Sequence, residues 1–211
     1  MNIFAVSADP VESAEHLLDK HIVKMPTESC QMLHTNSLYF LFWECHGREP
    51  SLKELKEFHK ESHYSYLMKP AMLNHPSTIW ARQNKANYMW LYNHALALCK
   101  EYTYRYGKIH GSEKRVLDSF TFSYEDEDLT PVTIAMDSKY RIPQEKHTWE
   151  FVIKSYRHYY LEGKWQIAEW RNNRRPDWFP SNHYAKKYNI GVRAYNSAKP
   201  RKYPQPELSE E

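Results

Sequence analysis

The stretch NHPSTIWARQNKANYMWLYNHALALCKEYTYRYGKIH, residues 74–110, decides the fold of this 211-residue chain. Pro76 suits a first helical turn, where its missing N–H costs nothing, and Gly107 suits a stop. Between them the spacing predicts one long helix. On a 3.6-residue wheel Trp80, Asn84, Asn87, Leu91, His94, Leu98, Glu101 and Arg105 fall along one stripe. Leu91 and Leu98 mark that stripe as buried. Burying a neutral polar group unpaired costs roughly 2–7 kcal/mol, and a charge costs more. The polar members therefore either satisfy one another, fixing only the packing, or line a polar cavity walled by Trp and Tyr.

The rest of the chain reads as helices around this one. Ile3 to Val6 reads as a short strand or an extended arm. Asp9-Pro10-Val11-Glu12 is a helix start, with Asp as cap and Pro at the first helical position, and predicts a helix from Pro10 to about Lys24. Pro26 then kinks or restarts the run to Trp43. Ser51-Leu52-Lys53-Glu54 is a capping box opening a helix toward His63. A short helix is expected from Ser112 to about Phe120, then a long acidic loop over 122–143. Thr148-Trp149 opens a helix that Gly163 stops, and 164–170 gives a last helical stretch. The fold class is mainly α: a single helical domain, residues 1–179, around one long central helix. Residues 180–211, with Lys186, Lys187, Arg193, Lys199, Arg201 and Lys202 among Tyr, Asn and Pro, read as a basic disordered tail.

Composition narrows the function. Only 5 Gly, with no GxGxxG or GxxxxGK[ST] run, excludes the P-loop and dinucleotide-binding classes. A net charge of +3 permits nucleic-acid binding without requiring it. The aromatic count, Tyr 17, Trp 7 and Phe 8, supplies surfaces on which bases can stack. The 12 His leave room for metal ligands or proton transfer, although no CxxC, HExxH or HxH pair is present, so no metal or cofactor is expected. The 3 Cys are widely separated and no long apolar run occurs, which reads as a reduced cytoplasmic protein without a membrane segment.

Three blocks carry candidate chemistry. In the first, Lys20, His21, Lys24, Glu28 and Gln31 share one arc of a helix that continues through Pro26, beside the apolar Leu18, Ile22, Met25 and Leu33. A lysine at such a shoulder can be desolvated into a nucleophile, and a carboxylate there can serve as base. The same residues read equally as a helix flank stitched by Lys24 and Glu28 at i,i+4. The second block is Glu101 to His110, where Tyr104 and its neighbours alternate with Arg105, Lys108 and His110. That pattern suits stacking on a base while cations hold phosphate, or ordinary packing at a helix end. His75 stands before the helix start, where backbone N–H groups make an anion pocket. The third block, Tyr156 to Tyr160 with Trp165, Trp170 and Pro176-Asp177-Trp178-Phe179, reads chiefly as aromatic packing.

Taken in order, Asp19-Lys20-His21-x-x-Lys24-Met25, Asn74-His75-Pro76 with Trp80 and Arg82, Asn87-Tyr88-x-Trp90, and Glu101 to His110 resemble a family of small phage-encoded proteins. More remotely, Pro26, His75 and Pro176-Asp177-Trp178-Phe179 resemble the phage pyrimidine-dimer DNA glycosylases. That resemblance implies an all-α base-excision enzyme in the host cytoplasm, acting on DNA or a pyrimidine nucleotide. The glycosylase uses the α-amine of a small second residue exposed when Met1 is removed, and a Glu two residues before the Pro. Here position 2 is Asn, larger than usual Met removal allows, and Lys24 stands where that Glu would be.

The reading that follows assigns the amine to Lys24 or Lys20, the base to Glu28, and catalytic roles to His21 and His75. Lys20, Arg82, Arg105, Lys108 and His110 would hold phosphate, and Trp80, Tyr88 and Tyr104 would stack on bases. The alternatives are a transferase modifying a pyrimidine such as 5-hydroxymethyluracil, and a non-enzymatic module binding nucleic acid or a host protein.

Overall fold

The computed structural model describes residues 1–121, 127–143 and 146–180, and among these every regular element is helical. In chain order they are α1 (Pro10–Glu15), α2 (Asp19–His46), α3 (Leu52–Glu61), α4 (Pro76–Gln83), α5 (Lys85–Tyr106), α6 (Glu113–Leu117) and α7 (Trp149–Gly163). Single 3₁₀ turns occur at Ser138–Tyr140 and Trp165–Ile167. α5 is the central helix and packs on α1, α2, α4 and α6. The expected basic tail lies outside the described residues, apart from Pro180.

Several boundaries depart from the sequence reading for local reasons. The predicted long helix is two helices, because Asn84 leaves helical geometry (φ −152°, ψ 169°) and its side chain accepts from the Asn87 N–H as the cap of α5. An Asn three residues before another polar residue is a cap signal as much as a wheel position. The first helix ends at Glu15 rather than near Lys24, and a new one begins at Asp19. α2 then runs unbroken through Pro26 for 28 residues. Pro26 offers no N–H to the Ile22 carbonyl. One residue on, the Val23 carbonyl accepts from His110 Nε2 at 3.1 Å. The 112–120 and 164–170 stretches shorten to α6 and to one 3₁₀ turn.

The N-terminal residues form no strand; they are an arm laid into the core. Ile3, Ala5 and Val6 are fully buried and join a core with Leu17, Ile22, Met25, Leu33, Leu91, Leu98, Val132, Val152, Tyr156 and Tyr160. Part of the expected acidic loop also turns inward: Val132, Ile134 and Met136 belong to that core. A smaller cluster of Leu38, Tyr39, Phe42, Leu55, Leu67 and Leu73 closes the far end of α2.

Candidate active site

The N-terminal arm brings the head of the chain to the shoulder of α2. Glu28, largely buried at 16% side-chain exposure, meets the Met1 α-amine at 3.9 Å and the Asn2 backbone nitrogen at 3.1 Å, both through Oε2. Its other oxygen, Oε1, pairs with Lys24 Nζ at 2.9 Å. His75 faces the same place: burial lowers its pKa most, the N-terminal charge lowers it further, and Glu28 opposes both. His75 caps α4, with Nδ1 accepting from the Ser77 N–H at 3.2 Å. The neutral ring therefore carries its proton on Nε2. The expected anion pocket at this helix start is thus filled by the histidine itself.

Of the residues expected to share one concavity, the structure brings together Lys24, Glu28 and His75. Lys20 is exposed one turn before Lys24 on α2. Lys108 and Ile109 are exposed at the end of α5, in a loop tied to α2 by the His110–Val23 bond and by Thr27 Oγ1 to Ser112 Oγ at 3.1 Å. His110 accepts the Ser112 N–H at Nδ1 and donates from Nε2, so both ring nitrogens are committed to holding that loop. Lys20 and Lys24 make a cationic edge on α2 beside Glu28, and Lys108 stands exposed on the loop tied to that helix.

The other expected site residues are placed elsewhere. His21 lies in the core, stacked 3.9 Å from Phe4 with Nδ1 on the Tyr160 hydroxyl at 2.7 Å, and burial pushes its pKa down to about 3. A base so weak, and so enclosed, has no proton to exchange near neutrality. Arg105 holds no phosphate: its side chain is fully buried, bonded to Glu101 Oε1 at 2.7 Å, Asp19 Oδ1 at 2.9 Å, and the Leu17 and Glu15 carbonyls. Trp80 and Tyr88 cannot stack on a base, because both are buried. Trp80 Nε1 donates to Thr130 Oγ1, and the Tyr88 hydroxyl donates to the Phe120 carbonyl at 2.8 Å. Tyr104 is exposed, but its ring lies 4.4 Å under the Arg174 guanidinium on the Glu15 and Glu101 face. Arg82 lies over the Tyr39 ring and donates to the Leu73 carbonyl at 2.6 Å.

The polar stripe of α5 bonds to itself and to neighbouring segments. Asn87 bonds to the Trp80 carbonyl and to Thr130, and Asn84 reaches the Asp128 carbonyl. His94 Nδ1 lies 2.9 Å from the Pro10 carbonyl, and burial lowers its pKa to about 4. Cys30 and Cys99 are likewise buried, their thiols pushed up to about 12. Among the described residues no group of three His, Cys, Asp or Glu converges as a metal site.

The sequence reading missed the partners that build the site, namely the Met1 amine and Asn2. Asn2 is buried and its side chain is fully engaged, with Nδ2 on the Ala135 carbonyl at 2.6 Å and Oδ1 accepting from the Tyr156 hydroxyl at 2.6 Å. The only signal in the sequence was the α-amine that the glycosylase resemblance implied.

Fold and site together define a small all-helical protein whose terminal amine is paired with a largely buried carboxylate. The chain belongs to the pyrimidine dimer DNA glycosylase family, whose model matches residues 1–113, a span holding the amine, Lys24, Glu28, His75 and the whole of α5. No curated protein matches the chain. No solved structure matches it. No helix among the described residues is long and apolar enough to cross a membrane.

Proposed function

We propose that this protein is a DNA glycosylase with lyase activity, removing a damaged pyrimidine through an imine formed by the amine at the head of the chain. The observation that carries this reading is the placement of Glu28 Oε2 against the first two backbone nitrogens, 3.9 Å from Met1 N and 3.1 Å from Asn2 N. Either nitrogen becomes an α-amine, depending on whether Met1 is retained, and either is within reach of the same carboxylate.

As a class, α-amines are freer nucleophiles near neutral pH than lysines, whose amines need desolvation to react. Lys24, expected from sequence as the amine, keeps 70% of its side chain exposed. We assign it instead to phosphate, with Lys20 on the same edge and Lys108 on the loop tied to α2. In the reaction the amine attacks C1′ of the damaged nucleotide. The C1′–N bond to the base breaks, its electron pair leaves with the base, and the base takes up a proton. Glu28 accepts the proton the amine sheds. Opening of the sugar ring at C1′ then gives the imine and a free 4′-hydroxyl. Loss of a C2′ proton and the 3′-phosphate cuts the strand.

End-labelled duplex carrying a pyrimidine dimer tests the assignment. The wild-type chain should cut the damaged strand and leave undamaged duplex intact. Absence of both cutting and base release overturns the reading, and a mass-shifted pyrimidine nucleoside would favour the transferase instead.

A further inference from the structure

The family match ends at residue 113, yet the groups that grip Asn2 come from beyond it. Three groups close a ring. Tyr156 Oη donates to Asn2 Oδ1 at 2.6 Å, Asn2 Nδ2 donates to the Ala135 carbonyl at 2.6 Å, and the Ala135 N–H donates to Tyr156 Oη at 3.2 Å. Each member donates once and accepts once around the ring, an arrangement in which each bond polarises the next. Asn2 Oδ1 also accepts the N–H groups of Ile3 at 2.8 Å and Phe4 at 3.3 Å.

This grip holds a backbone that would otherwise relax. Phe4 sits at φ +57°, in the left-handed region that a bulky residue avoids. The Asn2 side chain, accepting the Ile3 and Phe4 N–H groups, holds the turn at Phe4 that aims the first backbone nitrogens at Glu28. Tyr156 is fully buried on α7 and touches neither Glu28 nor the amine by any bond the structure shows, so its influence on them passes through Asn2.

We propose that Tyr156 is a positioning residue for the reacting amine, holding it against Glu28 through the hydrogen-bonded ring with Asn2 and Ala135. The inference rests on the amine chemistry proposed above, and it gives the C-terminal part of the chain a role in that site. It also accounts for Asn at position 2: its amide supplies both the donor and the acceptor that the ring needs, which a small aliphatic residue could not.

The test is single-turnover strand cutting on dimer-containing duplex by the full chain, comparing Tyr156→Phe with Tyr160→Phe. Tyr160 is an equally buried tyrosine whose hydroxyl bonds His21 and not Asn2. Each variant loses one buried hydroxyl, so stability falls similarly in both. The expected result for Tyr156→Phe is a fall of about tenfold or more in the saturating rate with KM for duplex within about twofold, since misplacement by a fraction of an ångström to 1 Å has costs of this order. Tyr160→Phe should keep both constants within about twofold of wild type. If Tyr156→Phe unfolds below the assay temperature, Asn2→Asp is measured instead. It keeps the size of the side chain but sets an acceptor against the Ala135 carbonyl, and the same fall in rate is expected. Equal rates in the Tyr156→Phe and Tyr160→Phe chains, or a rise in KM with the rate unchanged, overturn the inference. An inactive wild type would instead strike at the amine chemistry itself.

Discussion

α5 and the shoulder of α2 carry similar polar residues, and they differ in what those residues are joined to. On α5, Asn87, His94, Glu101 and Arg105 are buried and each meets a protein partner: Thr130, the Pro10 carbonyl, Arg105 and Asp19. On α2, Glu28 pairs with Lys24 and with the amine at the head of the chain, and its charge acts on the half-buried histidine that caps α4. Density of polar groups on a core-facing stripe therefore does not locate a site. Such a network fixes packing, because its donors and acceptors are bonded chiefly to other protein groups. A site is marked by a reactive group held in place but left chemically available.

The contrast is broken most sharply by removing the carboxylate. Glu28→Gln should lower the cutting rate by about a thousandfold, within the range attributed to a positioned general base. Its melting temperature should change little, since the amide is the same size and can still accept from the Asn2 N–H. If cutting persists at the wild-type rate, the shoulder of α2 is only a helix flank. Arg105→Met should do the opposite. Removing the guanidinium strips Glu101 and Asp19 of their closest cation and leaves them Arg174 at 3.3 Å and Arg171 at 3.7 Å; breaking a buried pair costs up to about 3–5 kcal/mol. Urea unfolding should show that loss, whereas the folded variant should keep its cutting rate and its salt dependence.

His21 and His94 are held neutral by burial, with pKa values of about 3 and about 4 against 6.5 unfolded. Below 6.5 the unfolded chain takes up protons that the folded chain refuses, so this contribution is complete above that pH and drains away as pH falls toward 4. Each buried histidine should remove about 1.4 kcal/mol per pH unit through that window. Unfolding measured at pH 7 and pH 5 should show it, and the slope should fall in His94→Gln; a slope that survives the substitution would assign it to other groups. The smallest effect is expected on the loop tied to α2. Lys108→Ala should lower the slope of log affinity against log salt by about one, since each phosphate contact contributes roughly one released counterion. An unchanged slope would move the DNA path off that loop.

Much of the fold was legible in the sequence because it is written locally. The Asp9 cap, the Ser51 capping box and the Thr148 cap all appear where their side chains bond the first turn. The break at Asn84 is hidden, because the side chain that caps α5 also fits the polar stripe of one continuous helix. Of the site, Lys24, Glu28 and His75 were legible as residues and their convergence was not. Glu28 meets an amine 26 and 27 positions away, brought there by an arm whose turn at Phe4 no local rule favours. Asn2 depends on partners 133 and 154 positions distant. The buried fate of Arg105 had the same cause, since Asp19 and the Leu17 and Glu15 carbonyls reach it across 86 to 90 residues. Spacing on a helix shows which residues share a face, but the residues that cover that face come from elsewhere in the chain.

The amine at the head of the chain is the point on which the account turns. Borohydride reduction during incubation with dimer-containing duplex fixes an imine as a stable secondary amine, and proteolysis of the adduct locates it. A DNA adduct is expected on the N-terminal peptide, on Met1 or on Asn2 according to the intact mass of the chain, and none in Glu28→Gln within the same interval. An adduct on the Lys24 peptide, or cutting without any trapped species, would contradict it.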